Sequence, residues 1–349
     1  MSGVGSAGGT GGTGGTGGTT SVSGVGVGTD VALMTDALIK HRDGISGNWL
    51  GSQLTVELPT VDDEDQLWKW EPWCRGAVFD FDLVSDLRFS KPGAETVELS
   101  DVRGIDIVSL TRPPLDTFQK QLDHVEKYSD LREDRASEIL SQIGLQTDFW
   151  SMIAYLHPSR TPKTLEVLLT AQRLAITVEM RFKHALACPR PIEYSPQIQP
   201  MIQTPEHGSL PSGHSTQAHL IAHVFYELLP PARKNPLLRE QLMRQAARVA
   251  INRTVAGVHF PVDSAAGRVL GTTLAEYFVS RSTDREFTSR QFKGDLFARE
   301  SDFNPSDAMD RSDPGNPPPP YVGVGSAARA APSSTLAWLW SEAQKEWRP

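Results

Sequence analysis

Residues 161–191, TPKTLEVLLTAQRLAITVEMRFKHALACPRP, decide the kind of fold this chain adopts. Thr161 before Pro162 reads as an N-cap with proline at the first helical position, and Pro189 and Pro191 mark a stop. The apolar residues between them recur at helical spacing, which predicts one helix running to about Ala187. At about 100° per residue, Leu165, Leu169, Ile176 and Met180 share a face, and Lys183 falls in its centre. Burying an ammonium group is costly, so either its stem snorkels outward or an anion waits inside.

A second cation repeats the pattern. In the helix predicted over 236–258, Leu238, Leu242, Ala246 and Val249 form the apolar face, and Arg253 lies within that arc. A third, Arg190, sits between Pro189 and Pro191, where the following proline imposes an extended backbone. Three converging cations with no matching buried carboxylate in the pattern suggest a multiply charged anion, and phosphate geometry suits arginine.

Further along, Pro211-Ser212-Gly213-His214 precedes a helical run over 213–229. Ser212 then stands at an N-cap beside free backbone N–H groups, Gly213 permits close approach of an oxyanion, and His214 offers a proton at the edge. In NRTVAGVHFPVD, residues 252–263, Asp263 follows His259 by four. Given a helical turn, its carboxylate accepts the Nδ1 proton and leaves Nε2 free as nucleophile or metal ligand, although Pro261 stands in the way of a continuous helix.

The chain has 349 residues, 39% hydrophobic, and a net charge of −8 that disfavours general nucleic-acid binding. Residues 1–29 are nearly all Gly, Ser, Thr and Val and are expected to be a flexible tail; 304–333 are rich in Pro, Gly, Asp and Ser. Residues 30–114 are expected to form a small strand-and-loop segment, from the alternation of Leu54, Val56 and Leu58 and of Val78, Phe79, Phe81 and Leu83. One helical pattern spans 115–143, another 263–280, and a short one near 335–346 carries Trp338 and Trp340 toward the body or a partner. The expected fold class is all-α, a helical bundle with the active site at its end, plus the irregular β-containing N-terminal segment, disordered tails and a Pro-rich extension over 286–349. Two cysteines, Cys74 and Cys188, make no disulfide framework and read as structural thiols. No apolar run is long enough to span a membrane, and with the first basic residue at Lys40 a cytoplasmic location is expected. His219 and His223 at helical spacing lack a third ligand and read as core histidines, and Asp62, Asp63, Glu64 and Asp65 read as a solvated turn.

Taken together, Lys183, Arg190 and Pro191, then Pro211 through His214, then Arg253, His259 and Asp263 resemble the signature of the phosphatidic acid phosphatase type 2 and vanadium haloperoxidase superfamily, which includes soluble class A bacterial acid phosphatases. Asn252 departs from the serine usual at its position. The resemblance covers about residues 115–285 and implies a helical catalytic domain there. It implies that His259 attacks phosphorus to form a phosphohistidine, His214 protonates the leaving oxygen and Asp263 orients His259, while Lys183, Arg190, Ser212, Gly213 and Arg253 bind the phosphate oxygens. Phosphate-monoester hydrolysis with a small phosphorylated substrate and no cofactor is the leading expectation.

The alternative that the resemblance implies is a vanadate-dependent haloperoxidase, with His259 bonded to vanadium and peroxide and halide as substrates. GSLPSGHST and GVHFPVDSAAGRVLG look similar to both branches. His207, five before Ser212, resembles a second histidine of algal bromoperoxidases and is a candidate for the substrate or halide pocket. A third reading, a phosphate-binding protein without turnover, leaves His214 and Asp263 without a purpose. Oligomeric state is left open.

Overall fold

A computed structural model describes residues 31–51, 57–144 and 147–348. The 1–29 tail and the expected strand residues Leu54 and Val56 lie outside them. The chain divides into Met1–Pro59 and Thr60–Pro349. In the first unit, helix α1 (Val31–His41) runs into a π turn over Arg42–Ser46.

The second unit begins with a correction. Val78, Phe79, Phe81 and Leu83 belong to a helix, α2 (Pro72–Ser85), and not to a strand. Pro72 opens it, and it buries Arg75, Gly76, Phe79 and Leu83, a set spaced by three and four residues. Over so short a stretch, alternation and helical spacing share several positions, and the packing of α2 on a long helix decides between them.

Strands do follow: β1 (Leu87–Ser90), β2 (Thr96–Asp101) and β3 (Asp106–Thr111) form an antiparallel meander. β4 (Phe287–Lys293) then pairs parallel to β3, with Val108 opposite Arg290, and β5 (Val322–Ala328) pairs antiparallel to β4. The sheet order is β1-β2-β3-β4-β5. The fold is therefore mostly helical with a five-stranded sheet, and not all-α. The late strands escape a reading by hydrophobicity because β4 alternates around Arg290, which is buried and paired with Glu276, and β5 consists of Val, Gly, Ser and Ala. Nor is the 304–333 stretch a tail, since Met309, Tyr321, Val322 and Ala330 are buried.

The helical pattern at 115–143 resolves into α3 (Leu115–Tyr128), a 3-10 turn at Ser129–Leu131, and α4 (Arg132–Ser141), breaking at the weak helix formers Ser129 and Asp130. A short helix, α5 (Asp148–Ala154), precedes α6 (Pro162–Leu186). After the single turn α7 (Pro191–Tyr194) come α8 (Gly213–Leu228), α9 (Pro236–Val255), α10 (Pro261–Thr283) and α11 (Ser334–Lys345). Helix α8 lies at the centre, against α6, α9 and α10.

Two expectations about α6 change. Its buried face runs through Val167, Ala171, Leu174, Val178 and Phe182, whereas Leu169, Ile176 and Met180 are 45%, 39% and 37% exposed. A helix apolar on nearly every side gives no unique core face from sequence, and Lys183 stands on the flank between the two. Thr161 does not cap α6 with its side chain. That role falls to Glu346, just beyond α11, whose carboxylate accepts from Lys163 N (2.6 Å) and Thr164 N (2.9 Å). Helix α11 docks on the body, with Trp340 and Trp347 buried.

Candidate functional site

The α8–α10 crossing assembles the site. A side chain at Gly267 would stand 2.6 Å from Ser212 O, and one at Gly271 would overlap Thr216 O, so both glycines let α10 press against the start of α8. That contact brings Ser212 N within 2.9 Å of Asp263 O and sets the two motifs side by side.

His259 lies before the start of α10, with Pro261 as the first helical residue. The His259–Asp263 contact therefore does not need a continuous helix. Asp263 reaches back over the N-terminus, where its Oδ2 accepts from Phe260 N (3.0 Å) and from His259 Nδ1 (3.0 Å). Ser209 Oγ donates to its other oxygen at 3.4 Å. On the far side of the ring, Arg190 Nη1 lies 2.9 Å from His259 Nε2. Guanidinium has donors only, so Nε2 accepts and the proton sits on Nδ1. Burial, then the charges of Arg190 and Lys183, hold the imidazole well below its ordinary range, so it is neutral near pH 7.

Arg190 leaves an extended backbone, as the flanking prolines predict, and is fixed by Val258 O (2.7 Å) and His207 O (3.0 Å). Its Nη2 donates to His207 Nδ1 at 3.1 Å, which places His207 at the exposed edge of the site. Lys183 is buried and gives Nζ to Gly208 O (3.1 Å) and Ser209 O (3.0 Å). Ser212 caps α8, its hydroxyl accepting from Ser215 N.

Arg253 is buried from the α9 side, and its Nη2 reaches Ile139 O and Gln142 Oε1, both at 3.3 Å. Its Nε and Nη1 are buried with no hydrogen-bond partner. Buried guanidinium nitrogens without a protein partner are costly, and an oxyanion is the group that satisfies them best. His214 donates from Nε2 to Gln142 O (2.8 Å) and Ile143 O (3.1 Å). Burial, then the neighbouring charge of Arg253, pushes it down to about 3. The structure thus brings Lys183, Arg190, His207, Ser212, Gly213, His214, Arg253, His259 and Asp263 into one locality, with the end of α4 closed over it.

Sequence reading missed four members. Ser209 supports Asp263. Gln142 and Ile143 cover Arg253 and His214, contacts across 71 to 111 residues that no local pattern announces. Glu179 supplies the buried carboxylate thought to be missing, one turn before Lys183 on α6, and that spacing of four was its available signal. Asn252, the departure from the pattern, accepts from Arg135 Nη1 (2.9 Å) and donates to Gln142 Oε1 (2.9 Å), tying α4 to α9. His219 is a core histidine whose Nδ1 donates to Ser215 O at 2.8 Å, and no metal-holding group of His, Cys, Asp and Glu occurs among the described residues.

A bundle whose helix ends gather cations around an oriented histidine defines a class of anion site. Residues 164–286 match the family model of the PAP2 superfamily. Among solved structures it is similar to the first transmembrane PAP2 type phosphatidylglycerolphosphate phosphatase from Bacillus subtilis, at 18% identity and a TM-score of 0.37, over 46% of this chain and 84% of that one. No curated protein matches. Among the described residues, no helix of this chain is long and apolar enough to cross a membrane.

Proposed function

We propose that this protein hydrolyses phosphate monoesters through a phosphohistidine on His259. The observation that carries the reading is the His259 ring, its Nδ1 proton held by Asp263 and its Nε2 lone pair turned to Arg190. The buried, unpartnered nitrogens of Arg253 supply the demand for an anion.

In the reaction, Nε2 of His259 bonds to phosphorus as the P–O bond to the leaving alcohol breaks. His214 acts as the imidazolium, gives its Nε2 proton to that oxygen and is left neutral. Lys183, Arg190, Arg253, Ser212 and the Gly213 N–H hold the three equatorial oxygens, most strongly in the bipyramidal transition state. Water, deprotonated by neutral His214, then displaces His259 from phosphorus. Gln142 and Ile143 occupy the partners that an ester engages, so substrate entry displaces the end of α4.

The test is hydrolysis of an aryl phosphate with and without orthovanadate, beside His259→Ala and an alkaline quench that preserves the acid-labile phosphohistidine. Turnover that vanadate inhibits, a base-stable phosphoenzyme, and loss of both in the variant are expected. Turnover that survives His259→Ala would sink the reading.

A haloperoxidase is the second reading, favoured by His207 against Arg190. Lys183, Arg190, Ser212, Gly213, Arg253 and His259 would hold vanadate, and the unsatisfied Arg253 nitrogens fit an oxyanion of that shape. Bound vanadate would supply peroxide activation toward halide. Bromide oxidation by vanadate-loaded protein, lost in His207→Ala, distinguishes it.

A further inference from the structure

Glu179 lies against the start of α8 and takes no part in the proposed reaction. Glu179 is 1% exposed, its Oε1 accepts from Gln217 Nε2 at 2.8 Å, and its Oε2 has no hydrogen-bond partner. Gly213 packs directly on it, since a side chain there would stand 2.7 Å from Oε1. A carboxylate therefore abuts the N-terminus of α8, which the proposed reaction uses to hold an anion.

The charges of the buried cluster make the conflict concrete. When all are ionised, Lys183, Arg190 and Arg253 set three positive charges against two negative ones on Asp263 and Glu179, and all five residues are 2% exposed or less. The histidines are neutral near pH 7. With the site empty the sum is one positive charge, and a bound dianion turns it to one negative charge in a dry interior. One proton restores neutrality, and the free oxygen of Glu179 has room in its bonding for it.

We propose that Glu179 takes up a proton from solvent when the site binds a dianion, so that anion binding and protonation of this carboxyl are one event. The proposal rests on the anion-site reading above. Oε2 becomes O–H while Oε1 keeps its bond from Gln217, and Lys183 keeps its full charge for the anion. The charged group acting on Glu179 is Lys183 from its own helix, and Arg190 and Asp263 act in turn on Lys183. From α8 the Gln217 amide and the Gly213 backbone, both uncharged, face it. Burial already pushes the Glu179 carboxyl up to about 7, with Lys183 and Gln217 opposing, and pushes the Lys183 ammonium down to about 7, so the bound anion holds Lys183 charged while Glu179 takes the proton.

Sulfate is the probe, because it remains a tetrahedral dianion across the working pH range and brings no proton of its own. Isothermal titration in buffers of different ionisation heat should show uptake of close to one proton by the wild-type protein. Sulfate affinity should fall about tenfold per pH unit above about 7, the slope of a one-proton linkage. In Glu179→Gln, which keeps the bond from Gln217, uptake should vanish and affinity should be flat with pH. An infrared difference spectrum of the wild-type protein should gain the C=O stretch of a protonated carboxyl on sulfate binding. Binding without proton uptake by the wild-type protein overturns the inference, as does undiminished uptake in Glu179→Gln, which would locate the proton elsewhere. Failure of sulfate to bind at all, or binding unaffected by Arg253→Ala, overturns the anion-site reading and this inference with it.

Discussion

Asp263 holds His259 by reaching back across the start of α10, its Oδ2 shared between His259 Nδ1 and Phe260 N, each at 3.0 Å. One carboxylate oxygen therefore fixes both the helix entry and the imidazole tautomer. Asp263→Asn keeps an acceptor for Phe260 N but no longer favours the Nδ1–H form of the ring. Turnover of an aryl phosphate should fall on the order of 10⁴-fold, as expected when a histidine loses its orienting carboxylate, with circular dichroism unchanged. A loss below tenfold would show that Asp263 serves only as a cap.

His214 should matter in proportion to how poor the leaving group is. An alkoxide leaving group needs a proton in the transition state and a nitrophenolate does not, so His214→Ala should cost about 10²–10⁴-fold on an alkyl phosphate and far less on p-nitrophenyl phosphate. Burial and Arg253 hold its pKa down to about 3 in the closed site, so the protonated ring is scarce at neutral pH. For alkyl esters kcat/KM should rise as pH falls from 7 toward 5. Parallel losses on the two substrates would remove His214 from the proton-transfer role.

Gln142 competes with substrate for Arg253. Its Oε1 accepts from Arg253 Nη2 and Asn252 Nδ2 together, at 3.3 and 2.9 Å. Gln142→Ala removes that internal ligand, and at about 1 kcal/mol per hydrogen bond the inhibition constant of inorganic phosphate should drop roughly fivefold. A weaker phosphate inhibition constant in the variant would show instead that Gln142 helps to form the site.

The site was more legible than the fold around it, for a physical reason. Lys183, Arg190, Ser212, His214, Arg253, His259 and Asp263 carry charge or proton chemistry at positions where an apolar or capping pattern makes them conspicuous, and such conflicts are visible locally. The face of α6 was misread because Leu169 and Met180 are as apolar as Leu174 and Val178, so only the packed neighbours separate them. Strands β4 and β5 were missed because Arg290 and the small residues of β5 are core-compatible only with Glu276 and the parallel partner β3 already in place. Glu179, Gln142 and Glu346 act across helices, and no one-dimensional spacing links Glu346 to the start of α6.

Acid should weaken the fold through His219. The ring is 2% exposed, and burial together with the charge of Arg268 lowers its pKa to about 3, against about 6.5 in an unfolded chain. Between those values the unfolded state binds the extra proton, so stability is lost as pH falls through this window and is fully present above about 6.5. The contribution to the slope approaches about 1.4 kcal/mol per pH unit. Urea unfolding of His219→Met between pH 4 and 7 should show a shallower pH dependence than wild type. An identical slope would assign the acid sensitivity to other groups.

Glu346 joins the last described helix to the first turn of α6. Its carboxylate takes the N–H groups of Lys163 and Thr164 and the Thr164 hydroxyl, while Trp347 Nε1 donates to that same hydroxyl at 2.8 Å. A charge at a helix N-terminus with two backbone donors combines a cap with a favourable dipole. Glu346→Ala should cost about 1–2 kcal/mol in urea unfolding, and Glu346→Gln, which keeps an acceptor and loses the charge, about half of that. Because α6 carries Lys183 at its far end, removing residues 334–349 should lower sulfate affinity along with stability. A truncated chain that unfolds at the wild-type urea midpoint would show that α11 rests on the body without holding it.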